Sequence, residues 1–236
     1  MGWGGRAGAD LTGHMLARVE ELSLGVRSYK AHYDLVLKVS DTELIMKGIL
    51  LYKWPGWLRN EMTVDFSPSL SQVLYWKDGI LWQYLPSSKV VFRQEEGRLR
   101  ERYPEIFASQ DLLSLRSPFD LVETGSIRFL EEEKGEGART HYLFEGIPKK
   151  AIQAQGALSP KLCRFRVSTA DGLLRDFIMY DASGQEIYKQ RFWDIQVNLE
   201  LLDEEFEFEL PNDVEIVEVT KETDRRLDRL AKGASP

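Results

Sequence analysis

The chain has 236 residues, of which 43% are hydrophobic and 29% charged, and its formal net charge is -7. This composition excludes an intrinsically disordered chain and allows a sizeable core. The acidic balance argues against nucleic acid and against anionic lipid head groups as partners, because both favour clusters of Lys and Arg. No apolar run is long enough for a transmembrane helix, and the single cysteine, Cys163, excludes an internal disulfide.

The first half of the chain predicts a helix followed by an antiparallel meander. Helical spacing places Leu11, Met15, Val19, Leu22 and Val26 on one face of a helix over residues 11–26. Strict alternation then predicts a strand from Tyr29 to Val39. Further apolar runs of strand length are separated by turn residues. The clearest hairpin signal is Asp78-Gly79, whereas Pro55-Gly56 favours a longer loop.

The second half predicts short helices and then more strands. Ser109 could cap a helix with Leu112, Leu113 and Leu115, and Ser117-Pro118 could open another with Phe119, Leu121 and Val122. The Glu-rich stretch at residues 130–139 is interpreted as an exposed loop. Strands resume near His141, and the last is predicted at "EFEFEL", residues 205–210. Beyond Val219 the charged sequence predicts a solvated helix or a disordered tail.

These elements predict a mainly β protein with α-helices (α+β), built on one strongly curved antiparallel sheet with helices on its concave side. We expect a disordered leader at residues 1–10, one domain at residues 11–219 and a charged tail at residues 220–236. No signal peptide is visible at the start, and we expect that the chain has been trimmed there.

Motifs for catalysis or metal binding are not found in the sequence. His14, His32 and His141 are scattered without ligand spacing, and neither a phosphate-binding loop nor a nucleophile elbow is present. Cys163 lies on the apolar side of its segment and is interpreted as a small buried side chain. We therefore expect a protein that is not an enzyme and holds no metal or cofactor.

Apolar surface is in excess in the meander, notably around the two tryptophans of "LYKWPGWLRNEM", residues 51–62. Two interpretations stay open: the helices simply fill the concave face of the sheet, or the face lines a ligand-holding cavity. The residues that alternation predicts to line the cavity are Leu35, Leu37, Leu44, Met46, Leu50, Leu58, Met62, Val64, Trp82, Tyr84 and Phe165. The residues predicted to come from the helices above it are Leu112, Leu113 and Phe119.

Three motifs in the same order resemble the LolA-type periplasmic lipoprotein carriers. They are Gly-x-Leu-x-x-Lys-x-Pro-Gly-x-x-Arg from Gly48 to Arg59, Asp78-Gly79 with the following Leu-Trp-x-Tyr-x-Pro, and Phe-x-Phe-x-x-Pro from Phe206 to Pro211. The resemblance extends over about residues 14–219. It implies an unclosed antiparallel half-barrel with a helical lid over a hydrophobic cavity.

The resemblance also implies a function. Its members carry the acyl chains of lipoproteins across the periplasm, from an inner-membrane release complex to an outer-membrane acceptor. Well-studied members have an arginine before the motif proline that helps to hold the lid shut, whereas this chain has Trp54 there. The candidates for lid closure are therefore Lys53, Trp54 and Arg59.

Other functions on the same fold are open at this point. One is a LolB-like lipoprotein acceptor, anchored through an N-terminal lipidated cysteine that trimming could have removed. Another is an envelope sensor whose sheet binds a partner protein. A lipid-acting enzyme is a third, but no nucleophile and base can be named for it. The expected location is the periplasm or a membrane surface facing it.

Overall fold

The computed structural model describes residues 5–39, 42–65, 67–104, 115, 118–134, 140–149, 159–207 and 209–231. Its α-helices are α1 (Gly5–Leu24), α2 (Glu96–Arg102) and α3 (Thr220–Ala231). The strands of the first half are β1 (Ser28–Val39), β2 (Thr42–Lys53), β3 (Trp57–Val64), β4 (Gln72–Lys77), β5 (Ile80–Leu85) and β6 (Val90–Gln94). The strands of the second half are β7 (Arg128–Lys134), β8 (Thr140–Gly146), β9 (Leu162–Ser168), β10 (Leu174–Tyr180), β11 (Glu186–Val197) and β12 (Glu215–Glu218).

All twelve strands belong to one sheet, in the order β12-β6-β5-β4-β3-β2-β1-β11-β10-β9-β8-β7. The strands at its two edges, β12 and β7, do not pair with each other, so the sheet is not closed. This confirms the predicted class, a mainly β protein on a single unclosed sheet of the half-barrel type. The sheet is mixed rather than purely antiparallel, because β12 runs parallel to β6.

The chain divides into two compact units. The first contains Met1–Val26, Leu35–Leu44 and Ser109–Trp193. The second contains Arg27–Asp34, Ile45–Ala108 and Asp194–Pro236. Both units are therefore assembled from segments that are distant in the sequence.

Aromatic side chains fill the core of the first unit. Phe144, Phe165 and Phe177 lie on the adjacent strands β8, β9 and β10 and are at most 1% exposed. Their rings stack with centroid distances of 6.1 and 6.3 Å. Phe119, from the 3-10 turn Pro118–Leu121, packs edge-on against Phe144 and Phe165. Rings packed in this way contribute both buried area and favourable quadrupole contacts.

Helix α1 also belongs to the first unit. It begins at Gly5, so the second half of the predicted leader is helical, and it ends at Leu24. Val19 is 1% exposed, but Leu11 is 48% exposed, so the predicted apolar face is buried only in part. Gly172 has φ +68°, and a Cβ there would lie 2.5 Å from the carbonyl oxygen of Val19. The turn before β10 can therefore approach the helix backbone only with glycine at this position.

The second unit contains the predicted meander, in which β2 to β6 pair consecutively and antiparallel. Lys77 pairs with Ile80 across Asp78 and Gly79, whose φ angles are 53° and 77°. Positive φ at both turn residues defines the type I′ turn that Asp-Gly predicts. The connection between β2 and β3 is residues 54–56, since Lys53 pairs with Trp57. It is longer than a two-residue hairpin turn, as Pro55-Gly56 predicted.

The prediction of a strand at "EFEFEL" is wrong within the described residues. Asp203–Phe206 forms a 3-10 turn, and the last strand, β12, comes later and pairs with β6. Phe206 is 2% exposed because it packs with Leu51 and Leu201. Within the described part of this stretch, Phe206 is thus a buried anchor in a turn rather than a residue of a strand.

Other elements were also predicted incompletely. Part of the Glu-rich stretch interpreted as a loop forms the edge strand β7, and residues 135–139 lie outside the described residues. Helix α2 was not predicted, whereas helix α3 realises the helical alternative for the charged segment. Leu227 of α3 is 4% exposed and packs with Leu99 and Tyr103. The first of the two predicted middle helices falls on undescribed residues, apart from Leu115, and the second is the 3-10 turn Pro118–Leu121.

Candidate functional site

The ladders of β2 to β6 define two faces in the second unit, because residues paired directly across a ladder point to the same side. We call one of them the uncharged face. Its members are Met46, Gly48, Leu50, Tyr52, Leu58, Asn60, Met62, Val64, Gln72, Leu74, Trp76, Leu81, Gln83, Leu85, Val90, Phe92 and Gln94.

Charge separates the two faces. Within these described ladders, no position on the uncharged face carries an ionisable acid or base other than the phenol of Tyr52. The opposite side, which we call the charged face, carries Lys47, Lys53, Arg59, Glu61, Lys77 and Arg93. The charged face is not simply solvated, because it also carries the buried side chains of Leu51, Tyr75 and Val91. The two faces differ in that only the uncharged face lacks charged side chains within these ladders.

The uncharged face is only partly covered. Leu50 and Val64 are buried, at 0% and 4% exposure. The partly exposed apolar members are Met46, Tyr52, Leu58, Met62, Leu74, Trp76, Leu81, Leu85, Val90 and Phe92. A contiguous apolar surface that retains contact with water is typical of a binding site.

Few polar groups interrupt this face, and most are paired. Tyr33 donates a hydrogen bond of 2.9 Å to Oδ1 of Asn60, and both side chains are buried. The ring crosses Gly48, where a Cβ would lie 2.4 Å from it. Burial raises the pKa of Tyr33 to about 12, so its hydroxyl remains a donor at physiological pH. Gln83 donates to Gln72 over 2.5 Å.

Trp76 lies at one end of the uncharged face, beside α2. The guanidinium carbon of Arg100 is 5.4 Å from its ring centroid. Its buried Nε1 has no hydrogen-bond acceptor in the described part of the chain. A buried donor of this kind is uncommon in folded proteins, and it gives this end of the face a polar group that a ligand oxygen would satisfy.

The uncharged face brings together several residues that the sequence predicted to line a cavity. These are Met46, Leu50, Leu58, Met62 and Val64. Trp82 and Tyr84 do not join them, because their partners Tyr75 and Val73 lie on the charged face. Alternation in one strand shows which residues share a side, but not which side that is.

The charged face holds a segment that we call the C-terminal strap, residues 199–207. Lys53 donates to the carbonyl of Leu201 over 2.8 Å and to Asp203 over 2.6 Å. Arg59 donates to the carbonyl of Glu205 over 2.9 Å. These two candidates for lid closure therefore hold the strap, on the side opposite to the uncharged face.

The third candidate for lid closure, Trp54, lies in the loop between β2 and β3 and is 50% exposed. The guanidinium carbon of Arg27 lies 5.6 Å from its ring centroid. Its amide also donates to the carbonyl of Arg27 over 2.8 Å. In the structure Trp54 is thus an exposed aromatic side chain stacked against a cation.

The remaining predicted site residues belong to the first unit. Phe165 is part of the filled aromatic core, together with Phe119. Leu35, Leu37 and Leu44 are partly buried, whereas Leu112 and Leu113 lie outside the described residues. Within the first unit, Phe165 is therefore a core residue rather than part of an open surface.

Seven apolar members of the uncharged face are absent from the residues predicted to line the cavity: Tyr52, Leu74, Trp76, Leu81, Leu85, Val90 and Phe92. For the residues on β4, β5 and β6, the signal was present in the Asp78-Gly79 turn. A turn of two residues places Lys77 opposite Ile80, and this register assigns the side of every following residue.

Cys163 fits the interpretation as a buried small side chain. It is fully buried in the first unit, and burial raises the pKa of its thiol to about 12. The thiolate required for nucleophilic attack is therefore scarce at neutral pH. The described helices include none that is long and apolar enough to cross a bilayer.

Comparisons with known proteins give fold-level similarity only. No family model matches the sequence, and no curated protein matches it. An uncharacterized conserved protein from Thermus thermophilus is 13% identical with a TM-score of 0.57, and the match covers 87% of this chain and 98% of that one. A structure of MucB, which is also known in a Pseudomonas aeruginosa MucA/MucB complex, is 14% identical with a TM-score of 0.50. That match covers 85% of this chain but 63% of MucB.

A LolA superfamily protein is also among the structural neighbours. It comes from Nitrosomonas europaea and is 14% identical, with 84% of this chain and 97% of that one covered and a TM-score of 0.36. At these identities the similarity concerns the fold, and function has to be inferred from the site.

Proposed function

We propose that the uncharged face binds acyl chains and that the protein is a non-enzymatic carrier of lipidated cargo. The observation that carries this proposal is the contiguous apolar face of β2 to β6, which bears no charge within the described ladders and remains partly exposed. The first unit provides the contrast, since its aromatic side chains pack against one another and fill their own core.

The free energy of transfer suits a carrier. Each CH₂ moved from water to an apolar site gains roughly 0.8 kcal/mol, so a ~16-carbon chain left in water costs on the order of 12 kcal/mol. A partly exposed face shields such a chain only in part. This permits binding without preventing release to an acceptor.

The cargo under this proposal is an acylated lipoprotein or a related lipid, carried across the periplasm toward the outer membrane. The release complex of the inner membrane and an outer-membrane acceptor would be its partners. The resemblance in motifs supports this finer role, because the three motifs occur in this chain in the same order as in the carriers.

Native mass spectrometry of the purified protein, followed by organic extraction, is the first test. We expect a mass increment that releases phospholipid or acylated peptide. A clean apo mass together with no binding of a fluorescent fatty acid would contradict the proposal. The partner-binding alternative would then take precedence.

A matched pair of variants tests which face binds. We expect Met62→Glu to weaken fatty-acid binding about tenfold or more, because a carboxylate would have to be desolvated beside the chain. Tyr84→Glu is the control, since it places the same carboxylate on the charged face. Equal effects of the two variants, measured by fluorescence titration, would show that the uncharged face is not the site.

A further inference from the structure

Helix α3 carries its basic residues on one side. Lys221, Arg225 and Arg229 recur at i, i+4 and i+8 and form a row along the helix, and Arg226 lies next to them. All four side chains are exposed. One turn separates successive members of the row, which corresponds to about 6 Å along the axis. We call these four residues the basic row.

The opposite side of α3 packs against other residues of the second unit. Leu227 packs with Leu99 and Tyr103. Asp224 accepts a hydrogen bond of 2.7 Å from Arg102, which also lies 3.9 Å from Asp228. The two inward acids are thus matched by Arg102, and Glu222 is the one exposed acid among the described side chains of the helix.

The basic row differs from most cations of the chain in that its members form no ion pairs within the described residues. Exposed and partly exposed Lys and Arg elsewhere are commonly engaged, as in Arg93 with Glu218 and Lys89 with Asp213. No ion pair within the described residues involves a member of the basic row. A local cationic surface therefore stands on a chain whose net charge is -7.

We infer that the basic row docks the protein on an anionic phospholipid surface. This inference rests on the proposed function, since a carrier that loads from an inner-membrane complex and unloads to an outer-membrane acceptor works beside bilayers. The exposed described side chains of α3 include no aromatic or large apolar anchor, which a protein partner would require at the centre of its interface. A diffuse anionic surface requires only the charge.

This docking has to be reconciled with the acidic composition, which argued against anionic lipid head groups as partners. The net charge argued against anionic head groups, but screening confines the interaction to about 8 Å at physiological ionic strength. At that range the potential that a membrane meets is set by the charges on and beside α3 rather than by the sum over the chain. These are the four cations and Arg102 against Glu222, Asp224 and Asp228. Docking by so few charges is weak and reversible, as a shuttling protein requires.

The test uses the full chain and vesicles of phosphatidylcholine with or without phosphatidylglycerol, of identical acyl composition, in a sedimentation assay. We expect binding only with phosphatidylglycerol, and its loss at high salt. Arg225→Gln/Arg226→Gln/Arg229→Gln should weaken binding about a hundredfold, since each cation at a membrane surface contributes about fivefold. Glutamine retains the helix propensity.

The control triple is Lys161→Gln/Lys189→Gln/Arg191→Gln, which removes the same charge from exposed positions of the first unit. It should bind as the unaltered protein does. Equal losses in both triples, an unaffected α3 triple, or equal binding to both vesicles would overturn the inference. Fatty-acid titration, run on the α3 triple and on the unaltered protein, separates the two proposals. If the unaltered protein takes up fatty acid but does not dock, only the docking is refuted. If the unaltered protein takes up no fatty acid, the proposed function is refuted.

Discussion

Gly48 is a residue at which the packing of the second unit leaves no room for a side chain. The ring of Tyr33 crosses it to reach Asn60, and a Cβ at this position would lie 2.4 Å from the ring. We expect Gly48→Ala to destabilise the protein by about 1–3 kcal/mol, because Tyr33 would have to leave its rotamer and its hydrogen bond. Chemical denaturation would measure this change.

Gly13→Ala is the control for that substitution. Gly13 lies inside α1, and nothing is within 4 Å of the position of its Cβ. Alanine should therefore stabilise the protein by about 0.5–1 kcal/mol through helix propensity. A neutral Gly48→Ala would show that Tyr33 is not confined over this position.

His141 should make the stability depend on pH. Burial, and then the guanidinium groups of Arg175 and Arg166, lower its pKa from the ordinary value. The unfolded chain therefore binds the proton more readily than the folded chain, and stability falls as the pH drops through about 6.5. Denaturation midpoints at pH 7.5 and 5.5 should differ less in His141→Gln than in the unaltered protein. Equal differences would exclude this histidine as the cause.

At the residue scale, the sequence predicted which side chains share a side of a strand better than it predicted how deeply each is buried. The apolar nature of Met46, Leu58 and Met62 and their common side were readable from alternation. Their difference from Phe165, which is 1% exposed, was not, because burial depends on which distant segments cover a strand.

Among the elements, the C-terminal strap depends on one aromatic anchor. Phe206 is 2% exposed, and its ring centroid lies 5.9 Å from that of Trp57. We expect Phe206→Ala to cost about 3–5 kcal/mol. Leu202→Ala, at a position that is 57% exposed, should change the free energy of unfolding by no more than about 0.5 kcal/mol. Similar values for both variants would mean that the strap is not anchored through Phe206.

Local turn chemistry made some elements predictable. The Asp78-Gly79 turn follows directly from residue types that tolerate positive φ. Helix α2 was missed because it is seven residues long, has no side-chain cap at its start and contains Gly97. Its position depends instead on contact with the turn, since the amide of Gly97 donates to the carbonyl of Gly79 over 2.7 Å.

At the scale of the whole molecule, ligand binding should appear as added stability. If acyl chains bind the folded state, a fatty acid at one hundred times its dissociation constant should add about 2.7 kcal/mol to the free energy of unfolding. Thermal unfolding should show the rise in midpoint for the unaltered protein and for Tyr84→Glu, but not for Met62→Glu. A similar rise in all three would place the bound ligand elsewhere.

The sequence predicted the class of the sheet but not the division of the chain into two compact units. Periodicity and turns predicted one curved, largely antiparallel sheet because they are local properties, whereas only the motif resemblance implied that the sheet is unclosed. The parallel pairing of β12 with β6 joins residues that are far apart in the sequence, and a strand of four residues has little pattern of its own. Such long-range pairings are decided by tertiary packing, which one sequence does not display.

That pairing sets an order for synthesis and folding. Val91 in β6 is 0% exposed and lies opposite Ile216 of β12. Until the segment from Asp194 onward has been made, the second unit lacks both its strap and its last strand, and β6 is an open edge that can recruit another chain. The second unit therefore completes its folding only after nearly the whole chain has been synthesised. A protein truncated before β12 should aggregate rather than accumulate as a stable half-molecule.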